Sequence, residues 1–535
     1  MRVKRRLDGL KILVLDGVKE AGVKALQRPG WQVDIVPERL TEAELVERIG
    51  AYDALIVRSA TKVTAPIIAA GHRLKVIGRA GVGVDNIDLN AATEHGIIVV
   101  NAPDGNTIAA AEHTLALMLA LARNIPEAHA SLKQGRWERK HLVGVELRQK
   151  TLGILGLGRI GSAVARRARA FEMHCIAYDP YISPEEAKRI GVELVSLNTL
   201  LEQSDFITIH MPLTDETRHL LDAEAIAQMK PGVRLINVAR GGIVDEAALA
   251  EALKSGKVAG AALDVFEEEP VTSSPLLECP NVVLTPHLGA STEEAQLHVA
   301  VDVAEAIAQV LDGGLPRNAV NMIAIAPEVM NKLAPYLKLG EKLGSFLAQT
   351  VGGISRVQVT YSGALVDFQT GPVTTSILKG LLERIVDDHV NLVNAEYLAK
   401  RRGIKVETVH RGNGDDYHNR IGVQVETAQG TFTVAGSVFQ PDSPRMVEIN
   451  GYRLDLIPSG YLLVAPHQDR PGIIGQVGTI LGQAGINIAA MQVGRKEPGG
   501  PAVMVLSCDA PLPPHVLKAI DEIEGISGAK HVVLD

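Results

Sequence analysis

A mainly α/β fold divided into several domains is predicted by three observations. Short β-rich runs alternate with helix-like stretches over residues 10–100 and again over residues 151–285, which is the βαβ pattern of a parallel sheet. The 535 residues suggest roughly three to four domains rather than one core. Residues 460–535 show the order β-α-β-β-α-β. The front half is therefore expected to hold two α/β units, followed by α+β regions.

Two βαβ series define the front half. After the second series, S-T-E-E at residues 291–294 has the spacing of a capping box and predicts a helix that ends near the glycines at 313 and 314. This helix can carry the chain back to the first unit. The predicted strands are 12–15, 33–36, 54–57, 76–77 and 97–100, then 151–154, 175–178, 206–210, 234–238 and 282–285, with helices at 41–49 and 109–121.

The rear part changes character after residue 321, and its sequence shows no recognisable catalytic motif before about residue 455. Apolar periodicity predicts helices at 330–351 and 374–401, a strand at 356–361 and alternating strands to about residue 455. The terminal module is predicted to have strands at 461–465, 486–493 and 502–507 and helices at 472–484 and 514–523.

The composition is that of an ordinary globular protein, with 46% hydrophobic and 22% charged residues. A formal net charge of −8 provides no basic surface for nucleic acid. No apolar run approaches the roughly 18 residues of a membrane span. Cys175, Cys279 and Cys508 are widely spaced without a C-x-x-C pair, so we expect no disulfide framework, no metal site and a reducing, cytoplasmic setting.

The most informative motif is GLGRIG at residues 156–161, which follows a predicted strand and opens a predicted helix. Such glycines permit a tight turn and close backbone approach to a pyrophosphate, and the helix N-terminus offers free N–H groups. Asp179 lies eighteen positions after Gly161, where a carboxylate would bind the adenosine ribose and repel the extra phosphate of NADP. The motif predicts NAD binding; a plain strand–helix turn with a solvated Asp179 is the alternative.

Three residues beyond this motif have the chemistry for oxidation of an alcohol by hydride transfer. His287 follows a strand, at the edge where open α/β sheets bind ligands, and can remove the hydroxyl proton as hydride leaves carbon. Glu269 could orient that imidazole, although a run of three glutamates is often only a solvated surface. Arg240 could bind a substrate carboxylate with its two-point fork, with a surface arginine as the alternative.

Three sequence runs resemble the signatures of the D-isomer-specific 2-hydroxyacid dehydrogenases. They are NVARGGIVD at 237–245, LDVF at 263–266 followed by Glu269 and Pro270, and TPHLG at 285–289. The resemblance covers essentially the whole chain, because long members of the family add an intervening domain and an ACT domain, and it supports catalytic roles for Arg240, Glu269 and His287. It implies a discontinuous flavodoxin-like substrate domain (1–105 and 291–320), a Rossmann nucleotide domain (106–290), an α+β intervening domain (321–456) and a ferredoxin-like ACT domain (457–535).

The same resemblance implies further site residues. Arg58 and Arg79 would bind a substrate phosphate and Asn106 would contact the substrate, since a substrate charged at both ends needs cations in two places. Arg139 would reach the site of a neighbouring subunit in a homo-oligomer, either a dimer or a tetramer. The implied cofactor positions are Gly156, Gly158, Arg159, Ile160, Gly161, Asp179, Val238, Ala239, Arg240, Asp264, His287 and Gly289, with Asp264 near the nicotinamide amide.

The terminal module resembles ACT domains, whose two ligand-binding loops match DRPG at 469–472 and GINI at 485–488. Asp469 and Asn487 would grip the amine and carboxylate of a small amino acid, and His467 is a weaker candidate. L-Serine is the implied effector, although the familiar serine-binding pattern has asparagine where this chain has Asp469. An aspartate can still accept a hydrogen bond from an ammonium group. A dimerising module without a ligand is the alternative.

The activity implied by the resemblance is reversible NAD-dependent oxidation of D-3-phosphoglycerate to 3-phosphohydroxypyruvate, the first step of L-serine biosynthesis. Two alternatives remain open. The substrate can be another D-2-hydroxy acid, although Arg58 and Arg79 disfavour an unphosphorylated one. The chain can also be an NADH-sensing interaction protein of the same fold, which the phosphate-binding arginines, the acidic composition and the terminal module disfavour.

Overall fold

The first unit is a parallel five-stranded sheet in the order β2-β1-β3-β4-β5, which is the predicted flavodoxin-like order. The computed structural model describes residues 9–323, 327–386, 389–412, 417, 419–439 and 443–534. Helices cover both faces of this sheet, which is why its strands are continuous apolar runs. Its elements are β1 (Leu10–Val14), β2 (Trp31–Ile35), β3 (Ala54–Val57), β4 (Val76–Arg79), β5 (Ile98–Val100), α1 (Glu42–Ile49), α2 (Ala65–Ala70), α3 (Leu89–Glu94) and a 3-10 helix at Glu20–Leu26.

The second unit is a parallel seven-stranded sheet in the order β12-β11-β10-β9-β6-β7-β8. This is the Rossmann order with one further strand beyond the sixth. The strand order reverses between β6 and β9, which places the glycine loop after β6 at the ligand crevice. Its elements are α4 (Thr107–Ala122), α5 (Ile125–Lys133), β6 (Thr151–Leu155), α6 (Arg159–Ala170), β7 (His174–Tyr178), α7 (Pro184–Ile190), β8 (Glu193–Leu194), α8 (Leu197–Gln203), β9 (Phe206–Ile209), α9 (Ala223–Gln228), β10 (Val233–Asn237), α10 (Glu246–Lys254), β11 (Val258–Leu263), a 3-10 helix at Pro275–Glu278, and β12 (Val282–Leu284).

The pattern of the sequence does not predict β11. Its sequence, VAGAAL, is rich in alanine and glycine, which are poor strand formers. The strand forms because it pairs with β10 on one side and β12 on the other. A Cβ at Gly260 would stand 2.9 Å from Leu121 Cδ1, so the absence of a side chain there lets α4 pack closely. Tertiary packing therefore outweighs local propensity in this strand.

The helix that follows the second sheet, α11 (Glu293–Leu311), returns to the first sheet. A Cβ at Gly78 of β4 would stand 2.4 Å from Val303 Cγ1, which shows how closely this helix approaches the strand. The predicted capping box at Ser291 is wrong by one residue. Thr292 is the N-cap, and its hydroxyl accepts a hydrogen bond from Ala295 N at 3.1 Å. The chain crosses between the two units twice, so they face each other across a cleft.

The third unit is a six-stranded sheet in the order β14-β13-β15-β16-β17-β18, with helices packed against it. The single helix predicted over 374–401 is wrong, because the structure has two helices there. Asn394 Oδ1 accepts from Asn391 N, and Asn391 Oδ1 accepts from Val393 N, each at 2.8 Å, so these side chains compete with helical hydrogen bonds. The elements are α12 (Pro327–Thr350), β13 (Ile354–Gly363), a 3-10 helix at Ala364–Asp367, α13 (Gly371–Leu382), α14 (Ala395–Arg401), β14 (Lys405–Arg411), β15 (Asn419–Thr427), β16 (Gly430–Val438), β17 (Pro444–Ile449) and β18 (Tyr452–Leu456).

The fourth unit is an antiparallel sheet in the order β20-β21-β19-β22, the predicted ferredoxin-like arrangement. Two helices cover one face, and apolar residues of the other face, such as Leu462 and Val464, join the core of the third unit. Across the described residues, every helix is too short or too polar to cross a membrane. The elements are β19 (Gly460–Gln468), α15 (Ile473–Gln483), β20 (Ile488–Arg495), β21 (Pro501–Cys508), α16 (Pro514–Asp521) and β22 (Lys530–Leu534).

Candidate active site

His287 and Glu269 meet beyond the carboxyl ends of β11 and β12. His287 Nδ1 lies 2.7 Å from Glu269 Oε2, and Glu269 Oε1 accepts a hydrogen bond from Phe266 N at 3.1 Å. Burial alone would raise the pKa of Glu269, but hydrogen bonding and charge from His287 outweigh it and hold the pKa below its usual range. Since an ionised carboxylate only accepts hydrogen bonds, Nδ1 carries the proton. The pairing therefore leaves His287 Nε2 as the nitrogen for a ligand.

Asp264 holds the loop that carries His287. Its side chain is fully buried; Oδ1 accepts from Leu288 N at 2.7 Å and Thr285 Oγ1 at 2.6 Å, and Oδ2 accepts from Gly289 N at 2.8 Å. Burial would raise the pKa of Asp264, but hydrogen bonds from His113, Thr285 and Leu288, together with the charge of His113, outweigh it and the pKa is lowered. Both carboxylate oxygens are thus occupied by protein donors. This geometry supports a role in shaping the loop, and the contact between Asp264 and a nicotinamide amide stays a prediction.

Arg240 follows β10 in a loop that Asn237 holds. Asn237 is buried, its Nδ2 donates to Arg240 O at 2.9 Å, and its Oδ1 accepts from Ala239 N at 3.0 Å. The guanidinium crosses the cleft, where Arg240 Nε lies 3.2 Å from Asp85 Oδ2 in the loop after β4. A Cβ at Gly83 would stand 2.0 Å from Arg240 Nη2, so the guanidinium lies directly against the backbone of this loop. Arg240 therefore faces the first unit from the second.

Arg79, at the end of β4, is close to two other arginines. Burial, together with the positive charges of Arg240 and Arg58, lowers the pKa of Arg79 to about 10, while the charge of Asp85 opposes this shift. The Nε atom of Arg79 is buried, and no described residue hydrogen-bonds to it. The positive charges of Arg58 and Arg240 thus both act on Arg79, with Arg240 reaching it from the second unit across the cleft. Such a cluster is suited to a ligand with two negatively charged groups.

The glycine loop between β6 and α6 fits a dinucleotide. Gly156 has a φ of +89°, and a Cβ at Gly161 would stand 2.1 Å from Gly156 O, so both positions require glycine. At Gly158, a Cβ would meet nothing within 4 Å, which leaves open backbone at the N-terminus of α6. Asp179 accepts from Leu157 N at 2.8 Å and so sits against this loop. The tight turn, the open backbone and the neighbouring carboxylate match what NAD requires.

The other predicted cofactor positions lie at the same crevice. Arg159 Nε is 2.5 Å from Asp104 Oδ1, so this ion pair bridges the two units. A Cβ at Gly289 would stand 3.0 Å from Val238 Cγ1, which shows that the His287 loop packs on the end of β10. These residues follow the carboxyl ends of β6, β10 and β12, which lie at the same edge of the second sheet. They are Arg159, Ile160, Val238, Ala239 and Gly289.

Asn106 and Arg139 have different surroundings. Asn106 precedes α4, and its Oδ1, like Thr107 Oγ1, is buried with no hydrogen-bond partner among the residues that the structure describes. Such atoms are the kind that a bound polar ligand satisfies. Arg139 is exposed in the turn after α5, where Trp137 and Val143 are 81% and 80% exposed. Arg139 therefore lies beside an exposed apolar surface.

The structure does not bring Asp469 and Asn487 together within one chain. Asp469 Oδ2 accepts from Arg495 Nη1 at 2.8 Å and Gly499 N at 3.2 Å, near the start of β21. Asn487 Nδ2 donates to Asp509 Oδ2 at 2.7 Å, just beyond the end of β21. Eight residues of extended strand span about 25 Å. The predicted joint grip on one small amino acid is therefore not available within a single chain.

His467 lies near Asp469 but faces a different space. It is buried, and its Nδ1 lies 3.2 Å from Ala465 O. It lines a cavity of about 440 Å³ between the fourth unit and the β17–β18 hairpin, together with Tyr452 and Arg470. Asp469 is not part of that lining, although the hydrogen bonds that it accepts, and after them the charge of His467, lower the pKa of Asp469.

Two residues of the cleft were not identified from the sequence. His113 Nε2, on α4, lies 3.2 Å from both Asp264 Oδ1 and Thr285 Oγ1. A lone histidine on an apolar helix carries no local signal, and only packing reveals this contact. Asp85, in the run GVDN at 83–86, pairs with Arg240 across the cleft. Asp85 lies only six positions after Arg79, a predicted substrate-binding residue, and this closeness in sequence is the signal that could have identified it.

Family models and solved structures agree with this geometry. The model of the D-isomer specific 2-hydroxyacid dehydrogenase NAD binding domain matches residues 115–289, that of the D-3-phosphoglycerate dehydrogenase intervening domain matches 332–450, and that of the ACT domain matches 463–525. D-lactate dehydrogenase from Escherichia coli is 33% identical, with a TM-score of 0.52 over 58% of this chain and 100% of its own. A glyoxylate reductase from Paecilomyes thermophila is 33% identical, with a TM-score of 0.54 over 60% of this chain and 99% of its own. Fold and cleft therefore define a D-isomer-specific 2-hydroxyacid dehydrogenase with an NAD-binding domain.

Relatives that match along the whole chain narrow this class. D-3-phosphoglycerate dehydrogenase of Synechocystis is 49% identical, covering 98% of this chain and 95% of its own. The proteins of the same name from Methanocaldococcus jannaschii and Bacillus subtilis are 51% and 46% identical, covering 97% and 98% of this chain and 98% and 99% of their own. The chain belongs to the D-3-phosphoglycerate dehydrogenase family. The predicted fold class, the predicted family and NAD as cofactor are confirmed.

Proposed function

We propose that this chain oxidises D-3-phosphoglycerate to 3-phosphohydroxypyruvate with NAD, the first step of L-serine biosynthesis. The observation that carries the proposal is the cluster of Arg58, Arg79 and Arg240 in the cleft that also holds the His287–Glu269 pair. A substrate with a phosphate at one end and a carboxylate at the other places two anions among these guanidinium groups. The names of the full-length relatives support the same substrate.

Each catalytic group has a role that its geometry supports. Arg240 binds the substrate carboxylate through its fork, and Arg58 and Arg79 bind the phosphate. His287 Nε2 accepts the proton of the C2 hydroxyl, because Nδ1 is held by Glu269. Glu269 fixes the orientation of the ring and stabilises the positive charge that the ring gains. When bound, NAD supplies the nicotinamide ring that takes the hydride from C2.

Chain elements on the other side of the crevice would hold the cofactor. The open backbone at Gly158 and the N-terminus of α6 suit the pyrophosphate. Asp179 suits the adenosine ribose, because each of its oxygens accepts one described hydrogen bond, from Leu157 N or Tyr181 N, and can accept a second from a ribose hydroxyl. Asn106, whose Oδ1 is buried without a described partner, suits a substrate hydroxyl or oxo group.

The decisive experiment is a measurement of NADH formation from NAD with D-3-phosphoglycerate, with D-glycerate and D-lactate in parallel. We expect kcat/KM for D-3-phosphoglycerate to exceed that for either unphosphorylated acid by at least about tenfold, because a charge-assisted phosphate contact is lost in both. Preference for another acid would keep the hydride chemistry and discard the phosphate assignment. Turnover of none, with NADH-dependent capture of a partner protein, would instead favour the sensor alternative.

We propose that the enzyme is a homo-oligomer, a dimer or a tetramer, and that one ACT ligand site is shared by two copies. Exposed apolar side chains near Arg139, such as Trp137 at 81% and Leu132 at 59% exposure, support pairing of the front units. The separation of Asp469 from Asn487 supports a shared effector site, because the two side chains can meet on one ligand only if they come from different chains. L-Serine is the proposed effector.

The four sheets support the proposed domain limits of 1–105 with 291–320, 106–290, 321–456 and 457–535. The third and fourth units nevertheless share a hydrophobic core, so they should move as one body. A reducing, cytoplasmic setting is also proposed. The free, buried thiols of Cys175, Cys279 and Cys508 support it.

A further inference from the structure

We propose that Asp85 is an internal counter-ion that occupies Arg240 in place of the substrate carboxylate and is displaced when the substrate binds. This proposal rests on the function proposed above, because it takes Arg240 as the residue that binds a substrate carboxylate. It adds a specificity-determining residue on the opposite side of the cleft.

The contact between Asp85 and Arg240 is built into the cleft. Arg240 Nε lies 3.2 Å from Asp85 Oδ2, with the arginine in the second unit and the aspartate in the loop after β4 of the first. A Cβ at Gly83 would stand 2.0 Å from Arg240 Nη2 and 2.8 Å from Asp85 Oδ2. A side chain at position 83 would therefore push both charged groups from the positions that they hold here.

The aspartate is free to leave, unlike the other carboxylate near the arginine cluster. Asp16 Oδ2 accepts from Arg58 N at 2.8 Å, and Asp16 Oδ1 accepts from Thr61 Oγ1 at 2.6 Å, so Asp16 fixes the loop. Asp85 has 74% of its side chain exposed, and its hydrogen bond within the described chain is to Arg240. Turning Asp85 into solvent therefore breaks one described hydrogen bond, the one to Arg240 Nε, and moves a carboxylate that is already mostly exposed.

The chemistry favours exchange of one carboxylate for another. A substrate carboxylate that accepts two parallel hydrogen bonds from the guanidinium is held more strongly than the single contact that Asp85 makes through Nε. Before substrate arrives, Asp85 offsets part of the repulsion among three converging arginines. A ligand that lacks a planar carboxylate has less to gain from displacing Asp85, so the aspartate selects for carboxylic acids.

The counter-ion role predicts that removing the charge of Asp85 strengthens substrate binding, whereas removing a binding residue normally weakens it. If Asp85 competes with the ligand, Asp85→Asn should lower KM for D-3-phosphoglycerate about three- to fivefold, since exposed ion pairs are weak, and leave kcat within about twofold. It should also strengthen inhibition by inorganic sulfate. If Asp85 instead positions Arg240 for the substrate, the same change would raise KM.

The test compares wild type, Asp85→Asn and Asp85→Ser with the control Asp312→Asn. Asp312 forms an exposed pair with Arg28 at 2.7 Å, remote from the cleft. Steady-state kcat and KM are measured with D-3-phosphoglycerate, and oxalate binding to the NADH-loaded enzyme is measured by fluorescence titration without turnover. Both Asp85 variants should bind oxalate about three- to fivefold more tightly, while Asp312→Asn matches wild type.

The two readouts separate this proposal from the proposed function. Unchanged or weaker oxalate binding in both folded Asp85 variants overturns the counter-ion role, whatever the substrate. Tighter oxalate binding in an enzyme that does not oxidise D-3-phosphoglycerate would uphold the counter-ion and overturn the substrate assignment. Asp85→Ser guards against misfolding of the first variant, because it removes the charge with a smaller side chain.

Discussion

The catalytic cleft and the ACT domain are assembled in opposite ways. In the cleft, Arg79, Arg240 and His287 are far apart in sequence, yet they lie on facing loops of one chain. In the ACT domain, Asp469 and Asn487 are eighteen positions apart, yet they lie at opposite ends of β21. Distance along the chain therefore predicts neither arrangement.

Sheet topology explains the difference. Parallel strands place all their carboxyl ends at one edge, so loops after β4, β6, β10 and β12 gather around one crevice. In the ACT domain, β19 and β20 are both antiparallel to β21, so the loop after β19 and the loop before β20 lie at opposite edges. One chain therefore gathers the predicted catalytic residues in one cleft, whereas it holds Asp469 and Asn487 far apart.

The largest expected effect tests the proposed base of the cleft, His287. His287→Ala removes the group that accepts the hydroxyl proton, so turnover should fall about 100- to 10,000-fold. NADH binding should change far less than turnover, because the loop at Gly158 and the carboxylate of Asp179 are untouched. Stopped-flow rates and NADH fluorescence titration measure the two quantities. Near-normal turnover would mean that another base serves the reaction.

The next effect tests the arginine cluster. Arg79→Glu reverses a charge that is proposed to bind phosphate, so kcat/KM for D-3-phosphoglycerate should fall about 10- to 100-fold, the scale of a charge-assisted hydrogen bond. The smaller kcat/KM for D-glycerate should change much less. Arg28→Glu, at the exposed pair with Asp312, is the matched control. Equal losses on both substrates would remove the phosphate assignment.

A smaller effect concerns the loop that connects these groups. Asp264→Asn should destabilise the fold by about 1–3 kcal/mol at neutral pH, because buried donors lose a charged acceptor. The folded pKa of Asp264 is below its ordinary value of 3.8, so its stabilising contribution is present above that pH and is lost as pH falls through the lower folded pKa. Thermal unfolding of variant and wild type at several pH values measures this. The unfolding temperatures of the variant and the wild type should become equal in acid. A difference that stays constant with pH would contradict the stabilising role of the ionised Asp264.

The smallest effect tests the shared ACT site. Asp469→Ala and Asn487→Ala should each weaken L-serine binding about five- to tenfold, the scale of one ordinary net hydrogen bond. A mixed oligomer of the two variants should regain tight binding at half the sites, because one site then has both wild-type side chains. Calorimetry gives the stoichiometry. Mixed oligomers that bind L-serine no better than either variant would contradict the proposal that two copies share one site.

Local sequence patterns predicted the strands and the glycine loop of the first two units well. The βαβ alternation located most strands to within two residues, and the glycine motif located the cofactor loop, because both signals depend on neighbours in the chain. The same patterns failed at β11, where burial between two strands makes a strand of alanine and glycine. They failed at 374–401, where asparagine side chains interrupt the helix.

The sequence alone determined which chemical groups are present: a dinucleotide loop, an imidazole with a nearby carboxylate, three arginines and an ACT-like tail. Only the tertiary structure decided which of these groups meet. The tertiary structure brings Asp85 within hydrogen-bond distance of Arg240, and His113 within hydrogen-bond distance of Asp264. It also separates Asp469 from Asn487. The physical reason is that periodicity and motifs report on local backbone geometry, whereas contacts across a cleft depend on strand order and helix packing.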